Sequence, residues 1–388
     1  MDSIYEKIGK QINNEDAGLW FWNQSVHKLI IKVPTHTAKA IFQGKSIFLY
    51  LKSIHLFSRN ILFSGASIND FDSNPIELYG INRFKEEIDI IRDVFQNECL
   101  NVDIFNELGV CVLTGVIKVD DQTRKYVFEE LDKNIIDNKD FLVAPYLDFF
   151  EQNILSKNEI QKIQLRLENI QVINTHFIGT NTSYFSLDNI NEGNSLELEV
   201  LTALDGIFKD KIYHSPYFID KALKKELTDL FAVTEYGIFI IETKCMAILQ
   251  LEKENSIDRR VANVQKQIKK ALKQVSGVCK NIKNNKIYKK ETGEEILFNR
   301  DLIPHCIIII DELIAFGEWE GIILEMMQTM IKDSSYINIL DIIELMKLVK
   351  ICNSSSEYFD YNLMKRTETF VQKQSLFIKG VPESNGNF

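Results

Sequence analysis

The segment ELTDLFAVTEYGIFIIETK, residues 226–244, decides how the second half of this 388-residue chain is interpreted. Two apolar runs with many β-branched and aromatic residues flank a short polar stretch, a pattern that predicts a buried β-hairpin. Asp229, Glu242 and Lys244 nevertheless lie inside these runs. Since a buried charge is costly unless it is paired or bound to a metal, the three residues need a common explanation.

The register of the predicted hairpin brings the three charges together. If Val233 pairs with Ile238 across the turn, Asp229 falls directly opposite Glu242. Opposed residues of an antiparallel pair have Cβ atoms about 4.5–5.5 Å apart. Lys244 is two residues from Glu242 and therefore shares its face of the strand. We expect all three side chains to converge on one spot.

Two interpretations of this cluster remain open on the hairpin alone. In the first, a divalent cation relieves the repulsion between two close carboxylates, whose hard oxygen ligands suit Mg²⁺ or Mn²⁺. Lys244 would then orient a water molecule or stabilise charge on a phosphate. In the second, Lys244 forms a buried ion pair with one carboxylate, and the other carboxylate points to solvent.

The segment before the hairpin, NSLELEVLTALDGIF, predicts a helix over residues 195–208. Its apolar residues recur at helical spacing, which places Glu197 on the apolar face and Glu199 on the opposite side. A carboxylate on that face again favours a cation. The alternative is that Asn194 is the N-cap and Glu197 its capping partner.

The segment DRRVANVQKQIKKALKQVSGVCKNI predicts a long helix over residues 258–282, with Gln265 at the edge of its apolar stripe. A basic face runs beside the stripe, and such a surface binds phosphate backbones. The alternative is an ordinary solvated face. The lysines of this face are Lys266, Lys269, Lys270 and Lys273.

Taken in order, these residues resemble the PD-(D/E)XK, or restriction-endonuclease-like, nucleases, in the branch of Mrr-type and nuclease-related-domain proteins. The resemblance covers roughly residues 195–366, and Thr228 stands where the family's name motif has proline. The matching positions are Glu197 in a helix, Asp229 in a strand, Glu242 and Lys244 in the next strand, and Gln265 in the following helix.

The resemblance implies a Mg²⁺- or Mn²⁺-dependent endodeoxyribonuclease that hydrolyses phosphodiester bonds of DNA. It implies Asp229, Glu242 and Glu197 as metal ligands, and Lys244 and Gln265 as the residues that position the nucleophile or a phosphate oxygen. In bacteria, this function fits restriction or antiphage defence. The alternative is a catalytically silent nucleic-acid-binding or assembly subunit with the same fold.

The predicted fold class is α/β, with a restriction-endonuclease-like core in which helices flank a central mixed sheet. We assign this core to residues 186–380 and a separate α+β recognition, regulatory or assembly domain to residues 1–185. A connection rich in Asn, Ser, Thr and Gly is expected within residues 178–195, and a disordered tail after residue 379.

Within the first half, SVHKLIIKV (residues 25–33) and KSIFLYLKSIHLF (residues 45–57) predict strands. Residues 83–170 are predicted to be mostly helical, including RFKEEIDIIRDVF (residues 83–95) and KNEIQKIQLRLENI (residues 157–170). No catalytic motif is found in this half of the chain.

Composition limits the partners and the location of the protein. The formal net charge of −10 gives the whole chain no basic footprint, so we expect a homo-oligomer or a partner protein to complete a DNA-binding surface. Neither a signal peptide nor an apolar run of about 20 residues is found, which predicts a cytoplasmic protein without membrane contact. The six scattered cysteines indicate neither a zinc site nor a disulfide framework.

Overall fold

The computed structural model describes most of the chain. Its described residues are 4–56, 59–69, 75–82, 84–133, 160–177, 183–246, 257–284 and 286–380. Part of the expected connection, residues 178–182, and nearly all of the expected tail, residues 381–388, lie outside these ranges.

The chain divides into two units. Unit 1 contains Met1–Asn174 and Ser186–Asp188, and unit 2 contains Thr175–Phe185 and Asn189–Phe388. The sequence placed the division after residue 185, whereas Thr175–Phe185 groups with the second unit.

Unit 1 combines four described helices with two sheets. The larger sheet has the strand order β1-β2-β6-β7-β9, and the smaller has the order β5-β4-β3-β8. Only the β2–β6 pair is parallel among the described strands of this unit. The elements are α1 (Ile4–Asn14), β1 (Gly18–Trp22), β2 (Lys28–Lys32), α2 (Thr35–Phe42), β3 (Ile47–Leu56), β4 (Arg59–Ile68), β5 (Ile76–Asn82), α3 (Lys85–Gln96), β6 (Cys99–Phe105), β7 (Cys111–Lys118), α4 (Asp121–Asp132), β8 (Ile163–Leu165) and β9 (Glu168–Val172).

The two strands predicted in the first 60 residues are confirmed as β2 and β3, and the helix predicted from residue 83 is confirmed as α3. Within the described residues 84–133 and 160–170, the mostly helical prediction is confirmed for α3 and α4 and is wrong elsewhere. Strands β6 to β9 fall in this region because tertiary pairing decides the conformation of short segments with mixed periodicity. In β8, for example, Leu165 pairs with Ile47 of β3. Residues 134–159, which belong to the same prediction, lie outside the described ranges.

Unit 2 is built on a five-stranded sheet with the order β12-β15-β16-β17-β18. The β12–β15 and β15–β16 pairs are antiparallel, and the β16–β17 and β17–β18 pairs are parallel. The elements are β10 (Thr175–Phe177), β11 (Ser183–Phe185), α5 (Glu192–Phe208), β12 (Ile212–His214), β13 (Tyr217–Asp220), β14 (Leu223–Glu226), β15 (Leu230–Val233), β16 (Ile238–Lys244), α6 (Ile257–Lys283), β17 (Pro304–Ile310), α7 (Glu320–Asp333), β18 (Tyr336–Asp341), α8 (Ile342–Cys352) and α9 (Ser356–Lys373).

Helices cover both faces of this sheet. Ile238 and Ile240 of β16 belong to a buried cluster with α6 and α7 residues such as Val264. Phe239 points the other way, where its ring centroid lies 4.8 Å from that of Phe208 on α5. A central mixed sheet between layers of helices is therefore confirmed. Among the described residues, no helix is both long and apolar enough to cross a lipid bilayer.

Gly65 in β4 tests the packing of unit 1. A Cβ atom at this position would lie 2.2 Å from the Leu78 carbonyl oxygen and 2.4 Å from the Tyr50 hydroxyl oxygen. We expect Gly65→Ala to lower the free energy of unfolding by about 1–3 kcal/mol because the core is overpacked. Urea unfolding followed by tryptophan fluorescence would measure this change.

Gly80 on the neighbouring strand β5 provides the matched control. It pairs with Ser64, and a Cβ atom there would have no neighbour within 4 Å. Gly80→Ala should leave stability unchanged or raise it by up to about 1 kcal/mol, since glycine weakens a strand. Equal losses in the two variants would contradict the predicted packing effect.

Candidate functional site

The hairpin of β15 and β16 has the predicted register. Val233 pairs with Ile238, and Leu230 pairs with Ile241. The backbone amides of Tyr236 and Gly237 each donate to the Thr234 hydroxyl oxygen at 3.1 Å, which closes the turn. The prediction of a buried hairpin in this register is confirmed.

The three charged side chains meet, as the register predicts. Lys244 Nζ lies 2.9 Å from Glu242 Oε2 and 3.6 Å from Asp229 Oδ2. The exposed fractions of the side chains are 1% for Glu242, 10% for Lys244 and 15% for Asp229. One lysine therefore faces two largely buried carboxylates at the end of β16, an arrangement named here the charged cluster.

Two threonines hold the carboxylates of the charged cluster. The Thr228 hydroxyl lies 2.9 Å from Glu242 Oε1. Thr243 donates to Asp229 Oδ2 from its backbone amide at 2.7 Å and from its hydroxyl at 3.0 Å. Sequence reasoning missed both roles. Each threonine is next in sequence to one carboxylate of the cluster and forms its hydrogen bond with the other, since Thr228 precedes Asp229 and Thr243 follows Glu242.

The charged cluster is electrostatically unbalanced. Burial and the nearby charge of Asp229 raise the pKa of Glu242 from its ordinary value of 4.5 to about 7, although Lys244 and Thr228 act in the opposite direction. One lysine thus does not offset the cost of ionising Glu242 in this environment. Additional positive charge at this position would favour the ionised form.

The donor set fits a hard divalent cation. Mg²⁺ is usually bound by one or two carboxylates, and water or phosphate oxygens complete its coordination. Asp229 and Glu242 supply two such carboxylates. Within the described ranges, no group of three or more His, Cys, Asp or Glu side chains is arranged to hold a metal ion.

Glu197 is not brought to the charged cluster. Its Oε2 atom lies 3.2 Å from Nε2 of His214, and this hydrogen bond raises the pKa of His214. His214 pairs with Leu230, which pairs with Ile241. These side chains lie on the α5 face of the sheet, opposite to the face of Glu242.

The predicted facing of helix α5 is wrong. Glu199 is buried, whereas Glu197 is only partly buried at the edge of the helix. The reason is that the buried stripe continues in the N-terminal direction through Leu196 and Glu192, which centres it on Glu199. The predicted cap is also wrong, because the N-cap is Asn191, whose side chain accepts from the amide of Asn194.

Gln265 is likewise not brought to the charged cluster. Its side-chain amide donates to the backbone carbonyl of Glu318 at 2.7 Å. The residue lies on α6, as predicted, but this hydrogen bond joins it to the segment that precedes α7.

The basic face of α6 is exposed, as predicted. Among the described residues, none of its lysines has an ion-pair partner, so the face presents uncompensated positive charge. Its members are Lys266, Lys269, Lys270 and Lys273.

A further ionic contact at the carboxyl ends of the parallel strands escaped sequence reasoning. Arg260 of α6 is buried and forms a salt bridge with Glu312. The neighbouring Asp311 accepts from the backbone amide of Met246 at 2.8 Å. These contacts connect the start of α6 to the ends of β16 and β17.

Comparisons of the chain with family models, with curated proteins and with solved structures give no match. The functional argument therefore depends on the residues and their geometry.

Glu242 should make stability depend on pH when no metal is present. Between its ordinary pKa of 4.5 and its folded-state pKa of about 7, the folded protein binds more protons at this group than the unfolded chain does. The free energy of unfolding must then fall as pH rises through this interval, because the unfolded state binds fewer protons. We expect Glu242→Gln to remove this part of the slope, measured by urea unfolding in chelator at a series of pH values.

Glu235→Gln is the matched control, because Glu235 is an exposed carboxylate in the turn of the same hairpin. It should retain the slope of the wild-type protein. Identical slopes for the wild-type protein and Glu242→Gln would contradict the prediction.

Proposed function

We propose that the protein is a metal-dependent nuclease that hydrolyses phosphodiester bonds of DNA, with unit 2 as a restriction-endonuclease-like core. The observation that carries the proposal is the charged cluster, in which the buried Glu242, the largely buried Asp229 and one lysine meet at the end of a central strand. The ordered resemblance of the sequence to PD-(D/E)XK nucleases supports the same function.

In this proposal, Asp229 and Glu242 hold Mg²⁺ or Mn²⁺. The ion would supply Lewis-acid stabilisation of phosphate charge and lower the pKa of an attacking water. Thr228 and Thr243 fix the orientation of the two carboxylates through the hydrogen bonds described above. Glu197 and Gln265 are assigned no direct contact with the cluster, since their hydrogen bonds are made to His214 and Glu318.

Lys244 has two acceptors, and these determine its proposed role. Its Nζ atom donates to Glu242 Oε2 at 2.9 Å and to the Thr243 carbonyl oxygen at 2.7 Å. The ammonium has three donors, so one remains for a water molecule or a phosphate oxygen. We assign Lys244 the task of orienting the nucleophile or stabilising charge on the phosphate.

The basic face of α6 is the proposed contact for the DNA backbone. Lys266 and Lys273 are seven residues apart, which corresponds to about 10 Å along a helix. This length matches only a few phosphates. Since the chain carries a net charge of −10, we further propose that a homo-oligomer or a partner protein enlarges the positive surface.

The second candidate function is a catalytically silent nucleic-acid-binding or assembly subunit. It is favoured by the 2.9 Å contact between Lys244 and Glu242, because an internal ion pair needs no metal. Removal of one member would then leave a buried charge without compensation and destabilise the fold.

Cleavage of supercoiled plasmid distinguishes the two functions. We expect the wild-type protein to nick or linearise plasmid in Mg²⁺ or Mn²⁺ and to be inactive in chelator. Glu242→Gln and Lys244→Met should each lower the cleavage rate by at least about 10²-fold, because each removes a group that stabilises the transition state. Glu235→Gln is the control and should cleave at the wild-type rate.

Binding of the metal is measured on the same samples by calorimetry. Metal binding without cleavage, lost in Glu242→Gln, would contradict the nuclease proposal for the isolated chain and favour the silent subunit. Equal cleavage by wild-type protein and both cluster variants would exclude the cluster as the catalytic site.

The basic face of α6 should contribute to the salt dependence of DNA binding. In a Glu242→Gln background, Lys269→Gln with Lys273→Gln should reduce the slope of log K against log salt by about 1.8, since each phosphate contact contributes about 0.9. Fluorescence anisotropy with a short labelled duplex would measure this slope.

Lys373→Gln with Lys379→Gln is the control pair for this measurement. Both lysines are exposed residues of unit 2 that lie outside α6. Equal reductions in the two double variants would mean that α6 has no particular role in DNA binding.

A further inference from the structure

Strands β13 and β14 form a two-stranded ribbon that is separate from the five-stranded sheet. The ribbon leaves the sheet after His214 and returns to it at Asp229. The amide of Ser215 donates to the carbonyl oxygen of Asp229 at 2.8 Å, so the two ends of the ribbon are joined beside the charged cluster. The ribbon therefore begins and ends beside the candidate site.

One side of the ribbon is anchored to unit 2. Phe218 is buried, and its ring centroid lies 6.4 Å from that of Tyr288. The backbone of Tyr217 exchanges two hydrogen bonds with Lys289, at 2.9 and 2.8 Å. Because an isolated two-stranded hairpin is only marginally stable in water, these contacts account for its fixed position.

The turn end of the ribbon is exposed on both of its faces, since Ile219 shares a face with Lys224 and Leu223 shares the face of Phe218. All four residues of β14 are exposed, and the exposed fractions of Ile219 and Leu223 are 49% and 64%. The turn residues Lys221 and Ala222 have φ angles of +48° and +65°. Glycine and asparagine are favoured in such turns, so a lysine is held at the tip in a conformation that is costly for its residue type.

The cations of the ribbon are only partly neutralised. Lys225 pairs with Asp220 at 2.6 Å, but within the described ranges Lys221 and Lys224 have no carboxylate partner. Lys224 Nζ instead lies 4.2 Å from the centroid of the Tyr217 ring. In a chain with a net charge of −10, these two lysines and the exposed aliphatic side chains on either face of the ribbon form a tip that is complementary to a polyanion with apolar edges.

We propose that the β13–β14 ribbon enters a groove of the DNA duplex and holds it against the charged cluster. Lys221 and Lys224 contact phosphates, and Ile219 and Leu223 pack against sugars and base edges. Two-stranded ribbons fit grooves of DNA, and apolar side chains form wedges in the minor groove. This inference takes its ligand from the proposed nuclease function.

Two double variants separate the ionic and apolar contributions of the ribbon. They are made in the Glu242→Gln background, and binding of a short fluorescein-labelled duplex is measured by anisotropy at several salt concentrations. Lys221→Gln with Lys224→Gln should reduce the slope of log K against log salt by about 1.8. Ile219→Ser with Leu223→Ser should weaken binding at every salt concentration without a change in slope.

Leu297→Ser is the control for the apolar variant, because Leu297 is 79% exposed and lies outside the ribbon. Lys373→Gln with Lys379→Gln is the control for the lysine variant. Both controls should bind DNA as the parent protein does. Thermal unfolding midpoints should be unchanged in every variant, since all the substituted side chains are exposed or at the tip of a turn.

Plasmid cleavage by the wild-type protein, measured in parallel, separates failure of this inference from failure of the proposed function. If the wild-type protein cleaves plasmid and both ribbon variants bind the duplex as tightly as their Glu242→Gln parent, the role of the ribbon would be overturned and the nuclease proposal would stand. Ribbon-dependent binding without cleavage would support the ribbon and count against the nuclease. Equal losses of affinity in ribbon variants and controls would overturn the role of the ribbon.

Discussion

The register of the β15–β16 hairpin is the constraint on which the candidate site depends. Side chains alternate between the two faces of a strand, so a slip of one residue would exchange the faces. Glu242 and Lys244 would then lie on the α5 side, among aromatic rings such as Phe208. The turn at Thr234 excludes this slip, because its hydrogen bonds fix which residues pair across the hairpin.

The register also explains how much of the site could be predicted from sequence. A tight turn between two apolar runs permits few pairings, and each pairing fixes which residues lie opposite each other. The convergence of Asp229, Glu242 and Lys244 follows from local pattern alone. Helix α6 and strand β17 were equally predictable, since a long amphipathic stripe and a continuous apolar run each permit one interpretation.

The errors concern properties that depend on tertiary packing. The face of α5 was inferred from the apolar residues of its C-terminal half. Its N-terminal half buries Glu192 and Glu199, and a pattern of apolar residues cannot predict the burial of a charged side chain. In unit 1, β8 and β9 are short and acquire strand conformation by pairing with β3 and β7. Local periodicity in residues 157–170 is compatible with a helix, and only the pairing partner decides otherwise.

The contact between His305 and Asp360 shows what is unusual about the charged cluster. His305 Nε2 lies 2.8 Å from Asp360 Oδ1, and the His305 ring stacks on Phe239 with centroids 5.2 Å apart. There one carboxylate faces one imidazole. In the charged cluster, two carboxylates face one lysine, and the pKa of Glu242 rises to about 7. The charged cluster therefore holds one carboxylate more than it holds lysines.

This imbalance is the strongest physical argument for a ligand at the charged cluster. A purely structural ion pair is most stable when its charges match, and replacement of such a pair by apolar residues often costs nothing. Glu242, with 1% exposure and a pKa of about 7, instead lowers the stability of the free protein as pH rises from 4.5 to about 7. A divalent cation would compete with Lys244 for Glu242 Oε2, and Lys244 would keep the Thr243 carbonyl oxygen as an acceptor.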